Sequence, residues 1–193
     1  KREVSSKVIG FGSHIQVVSI TQNQRYEMLP VLTNDSLVRT IEGIRGIKHV
    51  QKFANKLGIL KTDDDFCGLN FKGIGEDYDK SFLESCLVQG EMPSFSADEA
   101  SNEIVISQKV ASDLGVKVGD KIFAYFMGEE NMRARRLTIA GVFETHMADY
   151  DENLAVTDIY TVRRLNGWEK EQSSGLEITV HDFEQVDELT RTL

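Results

Sequence analysis

Histidine and cysteine are the residue types in this chain best suited to catalysis or metal binding, and their spacing indicates neither. None of the four histidines is followed by a partner four residues later, and no Cys/His cluster of the kind that binds zinc is present. His14 and His181 fall at the edges of predicted strands, which is typical of structural histidines. Cys67 and Cys86 are too few for a disulfide framework and wrongly spaced for a redox pair. We therefore predict a chain that is not an enzyme and has no catalytic, cofactor-binding or metal-binding residues.

Two short stretches resemble ligand-binding loops without meeting their requirements. Residues 10–13 contain two glycines but lack the lysine of a phosphate-binding loop, and a strand rather than a helix is predicted after them. Residues 63–65 are three consecutive aspartates, but their spacing is not that of a calcium-binding EF-hand loop. We predict a turn at the first stretch and a solvated acidic hairpin tip, without metal, at the second.

Charge and composition exclude several classes of protein. The chain has 22 Lys and Arg residues against 31 Asp and Glu residues, a net charge of −9, and no long basic cluster. Nucleic-acid binding is excluded on this ground, because it requires cations that neutralise phosphates. Val, Ile, Leu and Phe make up 56 of the 193 residues, which excludes disorder for most of the chain, and no apolar run approaches the length of about 20 residues that spans a membrane. Because the chain begins with Lys1 and ends inside an amphipathic pattern, we expect it to be part of a longer protein.

Helices and strands alternate in the predicted structure of the first 75 residues. Asn34 or Asp35 is expected to cap a helix that ends at Gly46 in a left-handed conformation. The predicted elements are a short helix in residues 1–10, a strand at 15–20, the capped helix, and strands at 49–60 and 68–74.

The middle of the chain, residues 76–147, is predicted to be rich in strands. Asp79 is expected to cap a helix that runs through Leu87, and Ser107 a second helix that ends at Gly115. The predicted strands are at residues 103–107, 121–127 and 135–143, and the last two are joined through residues 128–133.

After residue 147 the alternation returns, so the two ends of the chain are predicted to belong together. The expected elements are a strand at 154–156, a helix capped by Thr157 or Asp158 and ended by Gly167, a strand at 176–180, and a helix opened by Asp182. The sequence therefore predicts an α+β fold with two subdomains. Residues 1–75 and 148–193 form a discontinuous α/β unit, and residues 76–147 form a β-rich unit inserted between them.

The inserted segment contains a combination of motifs that resembles a known family. Its residues 104–107, 110–111, 114–122 and 136–143 resemble the extracytoplasmic core domain of MacB/FtsX-type ABC transporter permeases. Residues 2–4, 7–15, 149–151 and 155–156 are similar to the lipoprotein-releasing, LolC/LolE-like branch. The resemblance covers nearly the whole chain and implies a Porter subdomain built from its two ends and an inserted Sabre subdomain.

This resemblance also implies a function and a location. The parent protein is expected to lie in the bacterial inner membrane, with one membrane segment before this domain, three after it, and the domain on the periplasmic side. A separate cytoplasmic ATPase subunit would hydrolyse ATP, and a second permease subunit would complete the transporter. The domain, without catalysis of its own, would couple ATP hydrolysis to the extraction of lipoprotein cargo and its transfer to a periplasmic chaperone. We expect the isolated domain to be a monomer at micromolar concentration.

The hairpin between the two long strands is where the resemblance places partner binding. Its segment 126–133 is short and lacks the prolines of a stiff hook. The candidate partner-binding residues are Phe126, Met127, Met132 and Arg133, because packed apolar groups dominate binding energy and exposed methionines suit adaptable interfaces. The alternative is that the two methionines fold back onto their own sheet.

Two other functions remain open at this point. An FtsX-like domain would act as an interaction module for a periplasmic cell-wall hydrolase, and a MacB-like efflux domain would dock an adaptor protein. Unchanged lipoprotein sorting after depletion of the parent protein would favour the first of these over lipoprotein release.

Overall fold

The computed structural model describes residues 4–5, 15–18, 29–182 and 185–192, which contain six helices and twelve strands. The helices are α1 (Asp35–Glu42), α2 (Ser81–Cys86), α3 (Gln108–Leu114), α4 (Ala148–Asn153), α5 (Ile159–Asn166) and α6 (Val186–Thr192). The strands are β1 (Val4–Ser5), β2 (Ile15–Val18), β3 (Val31–Leu32), β4 (Ile47–Lys61), β5 (Phe66–Ile74), β6 (Leu87–Gly90), β7 (Glu103–Ser107), β8 (Lys121–Met127), β9 (Met132–Phe143), β10 (Leu154–Asp158), β11 (Gln172–Ser173) and β12 (Gly175–Val180). No helix among these residues has the length and apolar character needed to cross a bilayer.

Helix caps are the local signals that the sequence predicted most accurately. Asn34 caps α1 and accepts a hydrogen bond from the Leu37 amide at 2.9 Å. Ser107 caps α3 in the same way, and Asp158 caps α5. The left-handed conformations at Gly115 and Gly167, with φ of +66° and +70°, end α3 and α5 as predicted.

Several predicted boundaries were wrong, and β9, for example, begins at Met132 instead of residue 135. Residues 4–5, expected in a helix, form β1, because they pair with β2. Helix α1 ends at Gly43 instead of Gly46, which takes its positive φ in the turn before β4. Helix α2 is not capped by Asp79 as predicted, because its N-cap residue is Lys80 and makes no side-chain cap hydrogen bond. The helix ends at Cys86, because Leu87 begins a strand that pairs with the end of β9.

Some predictions concern residues that the structure does not describe. These are the remainder of the helix predicted in residues 1–10, the turn predicted at 10–13, His14, and residues 19–20 of the strand predicted at 15–20. For the final helix, the described part begins at Val186, four residues after Asp182.

Strand β4 organises the sheet because it is long enough to belong to two parts of it. Its 15 residues span about 50 Å. Residues 47–53 pair with β12, residues 59–61 pair with β8, and residues 54–61 form a hairpin with β5. A mixed ten-stranded sheet results, and the predicted α+β class is confirmed.

Six of the strands close into a ring of hydrogen-bonded neighbours. Going round the ring, β4 pairs with β5, β5 with β10, β10 with β7, β7 with β9, β9 with β8, and β8 with β4 again. The largest hydrophobic cluster takes at least one buried side chain from each ring strand: Leu60, Phe71, Ile106, Ala124, Ile139 and Ala155. The ring thus combines strands from residues 1–75, 76–147 and 148–193, and the division of these segments into two subdomains stays a prediction.

Candidate functional site

The β8–β9 hairpin presents three of the four predicted partner-binding residues, Met127, Met132 and Arg133, to solvent. Met127 and Met132 form the last residue pair of the hairpin and are 70% and 58% exposed. Arg133, beside them, donates a hydrogen bond from Nη1 to the carbonyl oxygen of Arg164 at 3.0 Å. This contact ties the hairpin to the end of α5. The methionines therefore extend into solvent and do not fold back onto their own sheet.

Phe126 is in a different environment, because alternate residues of a strand face opposite sides. Its side chain is 2% exposed and packs edge-on against Phe71, with 4.8 Å between the ring centroids. While the fold is intact, Phe126 is a core residue that cannot contact a partner. The alternation with Ile122 and Ala124, both buried, is the sequence signal that would have identified it.

A broader exposed surface surrounds the two methionines. Nine large hydrophobic side chains of the described residues are exposed, and six of them lie on one side of β5, β4, β8 and β9. These six are Leu57, Ile59, Phe66, Phe123, Met127 and Met132. Together with the partly exposed Tyr125 they are called the apolar sheet face below.

Strand register brings these side chains into rows across the four strands. Ile59 lies opposite Tyr125, and Lys61 lies between Phe66 on β5 and Phe123 on β8. Directly opposite residues of an antiparallel pair point to the same side, about 5 Å apart. Phe123 and Tyr125 are two residues apart on β8 and therefore face the same side, with 6.3 Å between their ring centroids. This surface was not predicted from the sequence, because its members come from two hairpins that are distant along the chain.

A second cluster that sequence reasoning missed is a buried polar network. Glu177 on β12 is fully buried and forms an ion pair with Lys72 on β5, whose side chain is 8% exposed. The other Glu177 oxygen, Oε2, accepts hydrogen bonds from the Tyr78 hydroxyl at 2.8 Å and from Gln51 Nε2 at 3.1 Å. The Lys72 ammonium also lies 5.2 Å from the centroid of the Phe53 ring. This Lys72–Glu177 network joins β4, β5 and β12 to Tyr78, which lies at the beginning of the segment 76–147.

Burial also affects the hydroxyl of Tyr78 in this network. It raises the pKa of the Tyr78 hydroxyl well above its ordinary value, and the charge of Glu177 raises that pKa further. Tyr78 therefore stays protonated and remains a donor to Glu177 at neutral pH. The available sequence signal was a charged residue, Lys72 or Glu177, inside each of two otherwise apolar strands. The sequence alone does not reveal that these two residues are partners.

The remaining polar residues that the sequence singled out lie apart from one another. Asp65 completes the turn between β4 and β5 by donating from its amide to Thr62 Oγ1 at 3.0 Å. Burial raises the pKa of the Cys67 thiol, which reduces its fraction of nucleophilic thiolate. Cys86 is partly buried against the cluster that contains Tyr78. Within the part of the chain that the structure describes, no three His, Cys, Asp or Glu side chains are arranged to hold a metal ion.

We expect a chelator to leave the melting temperature of the chain unchanged, because Asp63, Asp64 and Asp65 occupy an exposed turn closed by hydrogen bonds of its own. Differential scanning calorimetry with and without EDTA measures this directly. A decrease of several degrees in the presence of EDTA would show that the acidic turn binds a structural metal.

A pocket of about 330 Å³ lies away from these groups, between α6 and the turn that follows α1. Its lining mixes apolar and charged side chains, among them Ile44, Arg45 and Glu188.

Comparison with known proteins gives a consistent result over the whole chain. The family model described as "MacB-like periplasmic core domain" matches residues 2–193. A curated relative, the lipoprotein-releasing system transmembrane protein LolC of Neisseria meningitidis serogroup B (strain ATCC BAA-335 / MC58), is 24% identical over 168 residues. The alignment covers 82% of this chain and 39% of the relative, so the chain spans about two fifths of the relative's length.

Two solved structures have a similar fold. The extracellular domain of the noncanonic ABC-type transporter YknZ from Gram-positive bacteria superimposes with a TM-score of 0.59 at 14% identity, covering 97% of this chain and 87% of that domain. The periplasmic region of MacB from Actinobacillus actinomycetemcomitans gives a TM-score of 0.55 at 16% identity, covering 89% and 78% of the two chains. At these identities the likeness establishes the fold.

Proposed function

The chain belongs to the family of MacB-like periplasmic core domains, and from that premise we propose that it is the extracytoplasmic domain of an ABC transporter permease that releases lipoproteins from the inner membrane. The domain itself is non-catalytic. A cytoplasmic ATPase subunit supplies the energy, and a second permease subunit completes the transporter. The observation that carries this proposal is the family match over residues 2–193, and the similarity to LolC supports the choice of cargo.

Strand β4 offers a physical route by which movement at the chain ends can be coupled to movement of the β8–β9 hairpin. It is hydrogen-bonded to β12, near the C-terminal end, and to β8, which leads into the hairpin. A continuous strand ladder is stiff, since moving one end relative to the other breaks hydrogen bonds. In this proposal residues 1–75 and 148–193 form a Porter subdomain and residues 76–147 form a Sabre subdomain. A movement of the chain ends in the Porter subdomain is transmitted along β4 to the hairpin of the Sabre subdomain.

The Lys72–Glu177 network supports the same mechanism. Tyr78, at the start of the proposed Sabre segment, donates a hydrogen bond to Glu177 in the proposed Porter segment. Breaking this contact would leave a buried carboxylate with fewer partners, which is energetically costly. The network therefore holds the two segments in a fixed relation, so that they move together.

Lipoprotein release is tested by depletion of the parent permease in cells. We expect lipoproteins destined for other membranes to accumulate in the inner membrane after depletion, as measured by membrane fractionation. Normal lipoprotein sorting, together with recovery of a cell-wall hydrolase in pull-downs, would contradict the proposal and favour the FtsX-like role.

The hairpin is the proposed contact for a periplasmic lipoprotein chaperone. Replacing Met127 and Met132 with Ser should weaken capture of the chaperone, because exposed apolar anchors supply most of the energy of such contacts. The free energy of unfolding should change by less than about 1 kcal/mol, since side chains at a hairpin end support little of the core. A pull-down with the double variant, accompanied by urea denaturation, measures both quantities.

Exposed residues outside the hairpin provide the control for this experiment. Val88 is 49% exposed on β6, and Val88→Ser should leave chaperone capture unchanged. Unchanged capture by the Met127→Ser/Met132→Ser variant would move the proposed contact to the surface of residues 1–75 and 148–193. A loss of more than about 2 kcal/mol of stability would show that the methionines are core residues.

A further inference from the structure

We propose that the pocket between α6 and the turn after α1 binds a small zwitterion with a phosphate and a primary ammonium group, the chemistry of the phosphatidylethanolamine headgroup. Its volume of about 330 Å³ is at the small end of the range for ligand sites, about 300–1,000 Å³. The described lining consists of residues 44–45 of the turn and of four side chains on the opposite wall: Gln185, Glu188, Leu189 and Thr192. A pocket of this size accommodates a headgroup, but not a whole lipid or a protein segment.

Backbone contacts hold the two walls of the pocket together. A Cβ at Gly46 would lie 3.1 Å from Leu189 Cδ1 and 3.2 Å from Gln185 Oε1, so the turn lies directly against the opposite wall. The Gly46 carbonyl oxygen also accepts a hydrogen bond from the His181 amide at 2.8 Å, which ties the turn to the end of β12. Leu189 is 6% exposed, and Ile44 packs against the hydrophobic cluster that contains it. The pocket therefore has a preformed apolar floor.

The wall on the α6 side supplies hydrogen-bond acceptors. Gln185, Glu188 and Thr192 are spaced by three and four residues, which places them on one side of a helix. The Thr192 hydroxyl donates to the Glu188 carbonyl oxygen at 3.2 Å, so its own oxygen is left as an acceptor. The Glu188 carboxylate and the Gln185 amide oxygen complete the set. A primary ammonium group has three N–H donors and matches these three acceptors.

The wall formed by the turn supplies the opposite charge. Arg45 is exposed and lines the pocket, and its guanidinium can donate two parallel hydrogen bonds to a phosphate. Arg45 and Glu188 do not pair with one another, and neither forms an ion pair with any other residue that the structure describes. Two opposite charges that line one pocket without pairing are complementary to a ligand that carries both charges.

The place of the pocket in the domain favours a membrane lipid as the source of this zwitterion. Helix α6 packs beside β1, so segments near both ends of the chain lie together. This step rests on the proposed function, because membrane segments adjoin both ends of the domain in the proposed permease. The pocket then lies near the bilayer surface, where headgroups reach high effective concentrations and occupy even a weak site.

The two walls also determine which headgroups are rejected. Phosphatidylglycerol has a phosphate for Arg45 but no ammonium group, so Glu188 is left unpaired beside an added negative charge. Phosphatidylcholine carries a quaternary ammonium group, which has no N–H to donate to the acceptors. A primary amine is therefore required together with the phosphate.

An NMR titration of the 193-residue chain with glycerophosphoethanolamine tests the site with a soluble headgroup. We expect saturable shifts of the amide signals of residues 44–46 and 188–192, with a dissociation constant on the order of 1 mM for a ligand of this size. Glycerophosphoglycerol and ethanolamine each lack one of the two charges and should bind at least about tenfold more weakly.

Two substitutions with matched controls identify the groups that bind. Arg45→Gln and Glu188→Gln should each raise the dissociation constant at least about tenfold. Arg39→Gln removes the same charge from an exposed position of α1 outside the pocket. Asp187→Asn removes a negative charge from the same first turn of α6 as Glu188. Both controls should bind like the wild type, and because all four side chains are exposed, the remaining amide signals should stay in place.

Cosedimentation with vesicles distinguishes a membrane lipid from a soluble compound. Vesicles of phosphatidylcholine with phosphatidylethanolamine should retain more of the chain than vesicles of phosphatidylcholine alone, and Glu188→Gln should abolish the difference. Equal retention by both kinds of vesicle, with glycerophosphoethanolamine still bound in solution, would assign the site to a soluble phosphate with a primary amine.

Three results would overturn the proposal. The first is the absence of saturable shifts at the pocket up to about 20 mM glycerophosphoethanolamine, well above the expected dissociation constant. The second is binding that Arg45→Gln and Glu188→Gln leave unchanged. The third is equal binding of glycerophosphoglycerol, which would make the pocket a general anion site. None of these results bears on lipoprotein release, and normal lipoprotein sorting after depletion would leave the titration unaffected.

Discussion

Replacing Lys72 with Met lowers the free energy of unfolding by about 3–5 kcal/mol, the cost expected when one partner of a buried ion pair is removed. Glu177 is then left with its charge in a fully buried position. The hydrogen bonds from Tyr78 and Gln51 remain but compensate only part of the lost interaction. Urea denaturation of the variant and the wild type at pH 7 measures the difference.

Two further variants separate the buried charge from a general effect of removing a lysine. Lys109→Met removes an exposed pair with Asp113, 2.9 Å apart, and should cost less than about 0.5 kcal/mol. Adding Glu177→Gln to Lys72→Met should recover part of the loss, because a neutral amide is cheaper to bury than an unpaired carboxylate. If Lys72→Met costs no more than Lys109→Met, the buried ion pair of Lys72 and Glu177 does not stabilise the fold.

Replacing Phe126 with Ala is expected to cost about 3–5 kcal/mol, the range for removing a large aromatic side chain from a core. The Phe126 ring fills the space above Gly58, where a Cβ would lie 2.5 Å from it. It also packs against Phe71, and the protein interior cannot relax fully into the cavity left behind. Thermal or urea denaturation measures the loss of stability.

The neighbouring residue gives an internal control for this prediction. Met127→Ala changes the next residue of the same strand, whose side chain is 70% exposed, and should alter stability by less than about 0.5 kcal/mol. Equal costs for the two substitutions would mean that the inward and outward sides of β8 are not as described. The comparison therefore tests the strand orientation on which the apolar sheet face depends.

Local interactions explain which parts of the fold the sequence predicted well. Asn34, Ser107 and Asp158 bond to amides three residues ahead of them, so the information for each cap lies within one helical turn. The residues of β7 were predicted from their own pattern and were found where expected. The unexpected strand β6 depends on β9, more than 50 residues away, for its hydrogen bonds. Nothing within residues 87–90 indicates this partner.

The features of the candidate site also divide into those set by neighbouring residues and those set by strand pairing between distant segments. The sequence by itself determined the family, the α+β class and the hairpin of Met127 and Met132, because motifs, caps and alternation are properties of neighbouring residues. Only the tertiary structure decided that Lys72 and Glu177, 105 residues apart, form an ion pair. It also decided that Leu57, Phe66 and Phe123 share one exposed face. The physical reason is that strand pairing joins distant segments, and pairing register is a property of the whole sheet.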